Sequence, residues 1–187
     1  MSFDFAAARA NMVDSQVRPS DVTDPRIHHA MRTLPREEFM PEGKRHLAYA
    51  DVQVEYAPGR FLLKPRDVAK LVQALEPRAG ERALAIAAPY AAAVLESMGV
   101  AVTRQDEGDL KTAAGGDYDI VICESAVAKA PATWLAALKP GGRLGVVERN
   151  GVSRAVVYPH GATAGRAAFD AAQNFLAGFE PQHGFAF

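Results

Sequence analysis

Arg82-Ala83-Leu84-Ala85-Ile86-Ala87-Ala88-Pro89-Tyr90-Ala91-Ala92-Ala93-Val94-Leu95-Glu96 is the stretch that decides the fold. Arg82 to Ile86 reads as a short apolar strand, and Pro89 to Met98 as a helix rich in Ala, Val and Leu. Together they form the opening βα unit of a nucleotide-binding α/β domain, where glycines let the backbone approach a ligand at the helix start. The turn here is Ala87-Ala88-Pro89, with no glycine. Pro89 suits the first helical turn but removes one N–H that a ligand would use.

Outward from this unit, the same alternation continues. Gly99 closes the helix, and Val100 to Arg104 follows as a strand. Tyr118 to Cys123 (Tyr-Asp-Ile-Val-Ile-Cys) is the strongest strand signal, β-branched and bounded by turn residues. Pro131 to Leu138 reads as a helix stopped by Lys139-Pro140-Gly141-Gly142. Arg143 to Glu148 and Ser153 to Tyr158 read as a hairpin turned at Asn150-Gly151. Phe169 to Phe179 is ambiguous, and Gly184 to Phe187 is expected as an edge strand. The pattern argues for a parallel sheet flanked by helices and finishing in an antiparallel hairpin. Residues 87 to 117 leave room for one helix, one strand and a loop, whereas two further βα units need ~30 residues each. A shortened sheet is expected.

Upstream, Phe5 to Val17 reads as a short helix. Thr23-Asp24-Pro25 starts a second, Asp24 to Leu34, with Ile27, Ala30, Met31 and Leu34 on one face. Leu47 to Tyr56 contains an extended segment with Val52, Val54 and Tyr56 alternating. Pro65 to Leu75 is a third helix with Val68, Leu71, Val72 and Leu75 as its buried stripe.

Composition narrows the function classes. The chain has 187 residues, 49% of them hydrophobic and 23% charged, which suits one well-packed soluble domain. A net charge of −1 gives no reason to expect nucleic acid or an anionic membrane as partner. The basic clusters Lys44-Arg45 and Arg32 to Arg36 read as solvated surface. One cysteine, Cys123, excludes an intramolecular disulfide and suits a reducing compartment. The five histidines and Cys123 lack metal-ligand spacing. With no signal-peptide pattern and no apolar run of ~18 residues, a cytoplasmic, metal-free protein is expected.

Several segments carry a family resemblance: Asn11-Met12-Val13-Asp14-Ser15-Gln16-Val17-Arg18, Val22-Thr23-Asp24-Pro25-Arg26-Ile27 and Leu34-Pro35-Arg36-Glu37-Glu38-Phe39-Met40-Pro41. Ala48-Tyr49-Ala50-Asp51 and Leu138-Lys139-Pro140-Gly141-Gly142-Arg143-Leu144 follow, the last shared by many methyltransferases. Along most of its length the chain resembles the protein-L-isoaspartate O-methyltransferase family, a bacterial subgroup in particular. The resemblance implies an α/β, Rossmann-like S-adenosylmethionine-dependent methyltransferase fold, and the length of residues 87 to 117 gives it a shortened central sheet. It implies one domain over 1–187, with a helical N-terminal extension (1–60) and an α/β core (61–187). It also implies S-adenosylmethionine as cofactor and isoaspartyl carboxylates of damaged proteins as substrate.

Three departures from the family pattern accompany it. The family's Gly-x-Gly-x-Gly turn corresponds to Ala87-Ala88, two residues shorter, followed by Pro89-Tyr90, and its acidic strand residue to Ala85. Its ribose-binding acid has no clear equivalent; Asp106 and Glu107 are the candidates, in a register the missing elements leave open. The serine of its Ser-x-Pro corresponds to Leu63 of Leu63-Lys64-Pro65. The resulting expectation is a vestigial cofactor pocket at Ala87, Ala88, Tyr90, Asp106 and Glu124, with Asp51 and Leu63 on the substrate side and no catalytic or metal-binding residue. Tyr90 is expected to fill volume left by the cofactor. Cofactor binding and catalysis are expected to be lost, and the chain kept as a folded protein that self-associates or binds a protein partner. The alternative is an active methyltransferase in which N–H groups of Ala88 and Tyr90 hold the cofactor, with Asp106 or Glu107 on the ribose.

Overall fold

The structure, a computed structural model, describes residues 4–182. Helix α1 (Phe5–Met12) starts where the Asp4 carboxylate accepts from the N–H of Ala7 at 2.9 Å. It runs on through a π-helical turn (Val13–Val17) and a 3₁₀ turn (Arg18–Ser20), so the expected helix to Val17 changes pitch midway. Helix α2 (Pro25–Thr33) has the expected cap, the Asp24 carboxylate accepting from Arg26 N–H at 2.9 Å, and buries Ile27, Ala30 and Met31.

Two 3₁₀ turns, Arg36–Phe39 and Glu42–Leu47, lead into an antiparallel hairpin of β1 (Val54–Ala57) and β2 (Arg60–Leu62). The extension is thus not purely helical. Val54 and Tyr56 lie in a true strand, while Val52 stays outside it and exposed. Helix α3 (Pro65–Ala74) then buries Val68, Leu71 and Val72 as expected.

The core follows as β3 (Arg82–Ile86), α4 (Pro89–Ser97), β4 (Ala101–Gln105), β5 (Tyr118–Val127), α5 (Ala132–Ala136), β6 (Leu138–Asn150), β7 (Val152–Pro159) and β8 (Arg166–Asp170). One six-stranded sheet has the order β4-β3-β5-β6-β7-β8, parallel through β6 and antiparallel beyond it. The period-2 pattern sorts side chains between two cores. Ala83, Ala85, Ile120 and Ile122 face one that also holds Met12, Ile27, Leu71 and Val94. Leu84, Ile86, Val121 and Cys123 face the other, closed by Trp134 of α5, whose indole N–H donates to Leu110 C=O at 2.8 Å.

Several boundaries differ from expectation. β5 runs four residues past Cys123, because residues outside the sheet supply it with a new neighbour. Lys139-Pro140-Gly141-Gly142 does not simply end a helix. Leu138 already pairs with Tyr118, and a bulge absorbs the turn residues before Arg143 pairs with Ile120. The edge strand beside β7 is Arg166–Asp170; the expected strand at Gly184 to Phe187 lies outside the described residues.

Candidate functional site

The chain leaves β3 outward to β4 and returns to β5 on the other side. Strand order therefore reverses between β3 and β5, and the crevice beyond their carboxyl ends is where an open α/β sheet binds ligands. Ala87 there adopts φ 44°, the left-handed region that suits glycine, although it carries a side chain. Its N–H donates to Gln105 C=O at 3.0 Å, which locks the turn to the end of β4. Both Ala87 and Ala88 are buried, so their methyl groups occupy the space that a glycine turn leaves open.

Glu124, in β5 just beyond the point where β3 stops pairing with it, points its carboxylate at the first turn of α4. Oε1 accepts from Ala91 N–H at 2.8 Å and Oε2 from Leu63 N–H at 3.2 Å. The side chain has 0% exposure. Burial pushes its pKa up to about 7, against the pull of the Arg36 guanidinium and the N–H groups of Ala91, Leu63 and Tyr90. Arg36 is also fully buried. It donates from Nε to Ala48 C=O at 2.9 Å and from Nη2 to Leu63 C=O at 2.5 Å, and lies 4.6 Å over the Tyr90 ring. Phe39 meets that ring edge-on at 5.5 Å. Arg36 Nη1 and the Tyr90 hydroxyl have no hydrogen-bond partner among the described residues. Cys123 is buried too, and burial pushes its thiol up to about 12.

Two further segments lie over the crevice. From the β1–β2 hairpin, Phe61 N–H donates to Ser125 Oγ at 2.9 Å, Ser125 Oγ returns a bond to Phe61 C=O at 3.2 Å, and the Tyr56 hydroxyl donates to Asp106 at 3.0 Å. Beyond Ile86, where β3 stops, residues 174–179 take its place beside β5. Ala126 N–H donates to Asn174 C=O and Leu176 N–H to Ala126 C=O, both at 2.8 Å. The same segment holds the hairpin turn, with Ala177 N–H donating to Gly59 C=O at 2.9 Å. Gly59 has φ 66°, and a Cβ there would come within 2.4 Å of the Ala177 methyl, so the closure needs glycine. A cleft of about 270 Å³ remains beside this plug, with Arg60, Lys111 and Phe179 among its walls.

The structure thus gathers Ala87, Ala88, Tyr90 and Glu124 at the β3–α4 turn and places Asp106 against Tyr56. Leu63 contributes its main chain, bridging Glu124 and Arg36, while its side chain is buried in the core. Asp51 stands apart at the surface, 3.5 Å from Arg66. Arg36 corrects the sequence reading, since the basic run expected at the surface sends this residue into the centre. Its flanks, Pro35 before and Phe39 after, are the only local hint. Among the described residues no group of three or more His, Cys, Asp or Glu could hold a metal, and no helix is long and apolar enough to cross a membrane.

Residues 7–105 match the sequence profile of Protein-L-isoaspartate(D-aspartate) O-methyltransferase (PCMT). The chain belongs to the protein-L-isoaspartate O-methyltransferase family. Protein-L-isoaspartate O-methyltransferase 1 of Rhodopseudomonas palustris (strain HaA2) is 33% identical over 168 residues, covering 75% of this chain and 69% of that protein. The Methylorubrum extorquens (strain PA1) protein-L-isoaspartate O-methyltransferase is 31% identical, covering 75% and 74%. A solved protein-L-isoaspartate O-methyltransferase shares the fold at a TM-score of 0.67 and 20% identity, over 86% of this chain but 63% of that one. A Plasmodium falciparum β-aspartate methyltransferase structure in complex with S-adenosyl-L-homocysteine gives a TM-score of 0.69 at 13% identity, over 94% and 99%. The fold of this family member is therefore the Rossmann-like one. At the turn where this fold binds its cofactor, the methyls of Ala87 and Ala88 are buried and Glu124 accepts from Ala91 N–H in the first turn of α4.

Proposed function

We propose that this member of the protein-L-isoaspartate O-methyltransferase family has lost S-adenosylmethionine binding, and with it methyl transfer to isoaspartyl carboxylates. The scaffold is kept as a folded cytoplasmic interaction protein that self-associates or holds a protein partner. The observation that carries the reading is the wholly buried Glu124 carboxylate, bonded to the first turn of α4 beneath the hairpin and residues 174–179. In-line methyl transfer needs a donor and an acceptor held together in one site, and the chain's own atoms fill the place of the donor. Exposed residues along β4 at the sheet edge are consistent with a protein contact.

The alternative, an active S-adenosylmethionine-dependent methyltransferase acting on isoaspartyl carboxylates, keeps one observation in its favour. Asp106 stands half-buried just after β4, where a ribose acid would be needed. That reading requires the hairpin to release Asp106 and residues 174–179 to leave β5. Isothermal titration with S-adenosylmethionine and S-adenosylhomocysteine at high protein concentration tests the choice. The proposal expects no saturable heat, and one-site binding would overturn it. Sedimentation velocity across a hundredfold concentration range tests self-association.

A further inference from the structure

We infer that Asn150 is a modification site: it converts spontaneously to an isoaspartyl residue through a cyclic imide formed with the Gly151 nitrogen. Asn150-Gly151 joins β6 to β7, and both residues are exposed at the tip of that hairpin. Neither the Asn150 carboxamide nor the Gly151 N–H has a hydrogen-bond partner among the described residues. Gly151 has φ 78°, and a Cβ built there would meet nothing within 4 Å. The attacking nitrogen and the carbonyl it attacks are therefore adjacent, solvated and unobstructed, because glycine has no side chain to crowd the ring. The other two asparagines lack this combination. Asn11 lies inside α1, held helical ahead of the fully buried Met12. Asn174 precedes the bulky Phe175, and its C=O accepts from Ala126 N–H at 2.8 Å.

The reaction needs only hydroxide and water. Hydroxide takes the proton of the Gly151 amide, and the nitrogen adds to Asn150 Cγ. The Cγ–Nδ2 bond then breaks, and ammonia leaves with a proton from water. Water opens the ring at either of its two carbonyls. Opening at the former main-chain carbonyl makes it a free carboxylate and leaves the chain running through Cβ and Cγ. An amide is exchanged for a carboxylate, with no oxidation or reduction, and a negative charge is gained. The added main-chain atom falls in the turn closed by the Asn150–Val152 and Arg149–Ser153 pairs. Arg149 also lies 5.0 Å over the ring of Phe175, in the segment beside β5, so the modified turn abuts the covering of the crevice.

The test is to age the full chain in mildly alkaline buffer, with the free peptide Arg149–Arg154 as timing reference. Digestion in acid, where imide formation stops, is followed by mass spectrometry with electron-transfer fragmentation, which separates isoaspartyl from aspartyl. Conversion at Asn150 is expected on the time scale of the peptide, mostly to isoaspartyl and at a rate proportional to hydroxide. Asn11 and Asn174 are expected to stay intact in the same sample, and Asn150→Gln to lose the product. An intact Asn150 after the peptide has fully converted shows that the hairpin holds the pair apart, and overturns the site. Conversion to aspartyl alone, which is direct hydrolysis without the ring, overturns it too, as does equal conversion at Asn174. The outcome is independent of cofactor binding, since no group of the crevice takes part.

Discussion

Glu124 couples folding to pH. In the unfolded chain its carboxyl titrates near the ordinary value of 4.5; in the fold burial raises it to about 7. Below pH 4.5 both states hold the proton. Between 4.5 and 7 the unfolded state releases it first, so this group's contribution to stability falls as pH rises, and it stays constant above 7. The titratable groups that act on it are Arg36 from the 3₁₀ turn, Tyr90 from α4, Tyr56 from the hairpin and Cys123 on its own strand. Urea unfolding at successive pH values is expected to show the loss, of order 3 kcal/mol in full, and to lose that slope in Glu124→Gln. Parallel curves for parent and variant would refute the assignment. At the neighbouring turn, Ala87→Gly relieves a left-handed alanine but removes a buried methyl. These effects oppose each other, and the net stability change is expected within about 1 kcal/mol. On the proposed reading, in which Glu124 and the hairpin as well as the missing glycine close the crevice, the same variant is expected to remain silent to S-adenosylmethionine in titration.

At the scale of elements, two joints tie distant segments of the chain together. The first is the β2–β5 contact through Ser125, whose hydroxyl serves both N–H and C=O of Phe61. Ser125→Ala strands both groups and is expected to destabilise by about 1–3 kcal/mol in urea, with faster exchange of the Phe61 amide. The second is the end of α3. Arg143 of β6 donates to Leu75 C=O at 2.6 Å and Glu76 C=O at 2.9 Å, and forms a two-pronged pair with Glu81 at 2.8 and 2.9 Å. Only a planar fork reaches all of these, so Arg143→Lys is expected to recover little of the roughly 2–3 kcal/mol lost in Arg143→Ala. Equal stability of the Lys variant and the parent would show that charge alone suffices. Such joints are silent in sequence. Arg143 opens an expected strand, yet nothing beside it announces a partner helix some 70 positions earlier.

At the scale of the molecule, the N-terminal extension and the sheet share one core, in which Met12, Val17 and Ile27 pack with Ala83, Ala85 and Ile120. The expected single domain therefore predicts one cooperative unfolding transition. Trp134 fluorescence, reporting the opposite face of the sheet, and far-UV circular dichroism are expected to coincide along a urea titration. Separated midpoints would show the extension unfolding by itself.

The sequence by itself determined the local elements. β3 and α4, the strand from Tyr118, the hairpin at Asn150-Gly151 and the cap at Asp24 all follow from period, proline placement and turn chemistry within a few residues. It also marked the place where the family's turn is altered, since an absent glycine is visible without any structure. Only the tertiary structure decided what fills that place. Glu124, Arg36, Tyr56 and residues 174–179 meet from distant parts of the chain, and beyond the apolar flanks Pro35 and Phe39 nothing local separates the buried Arg36 from the half-exposed Arg32. Local periodicity records which face of an element is apolar, and the identity of a long-range partner is set only when the sheet and its covering segments close together.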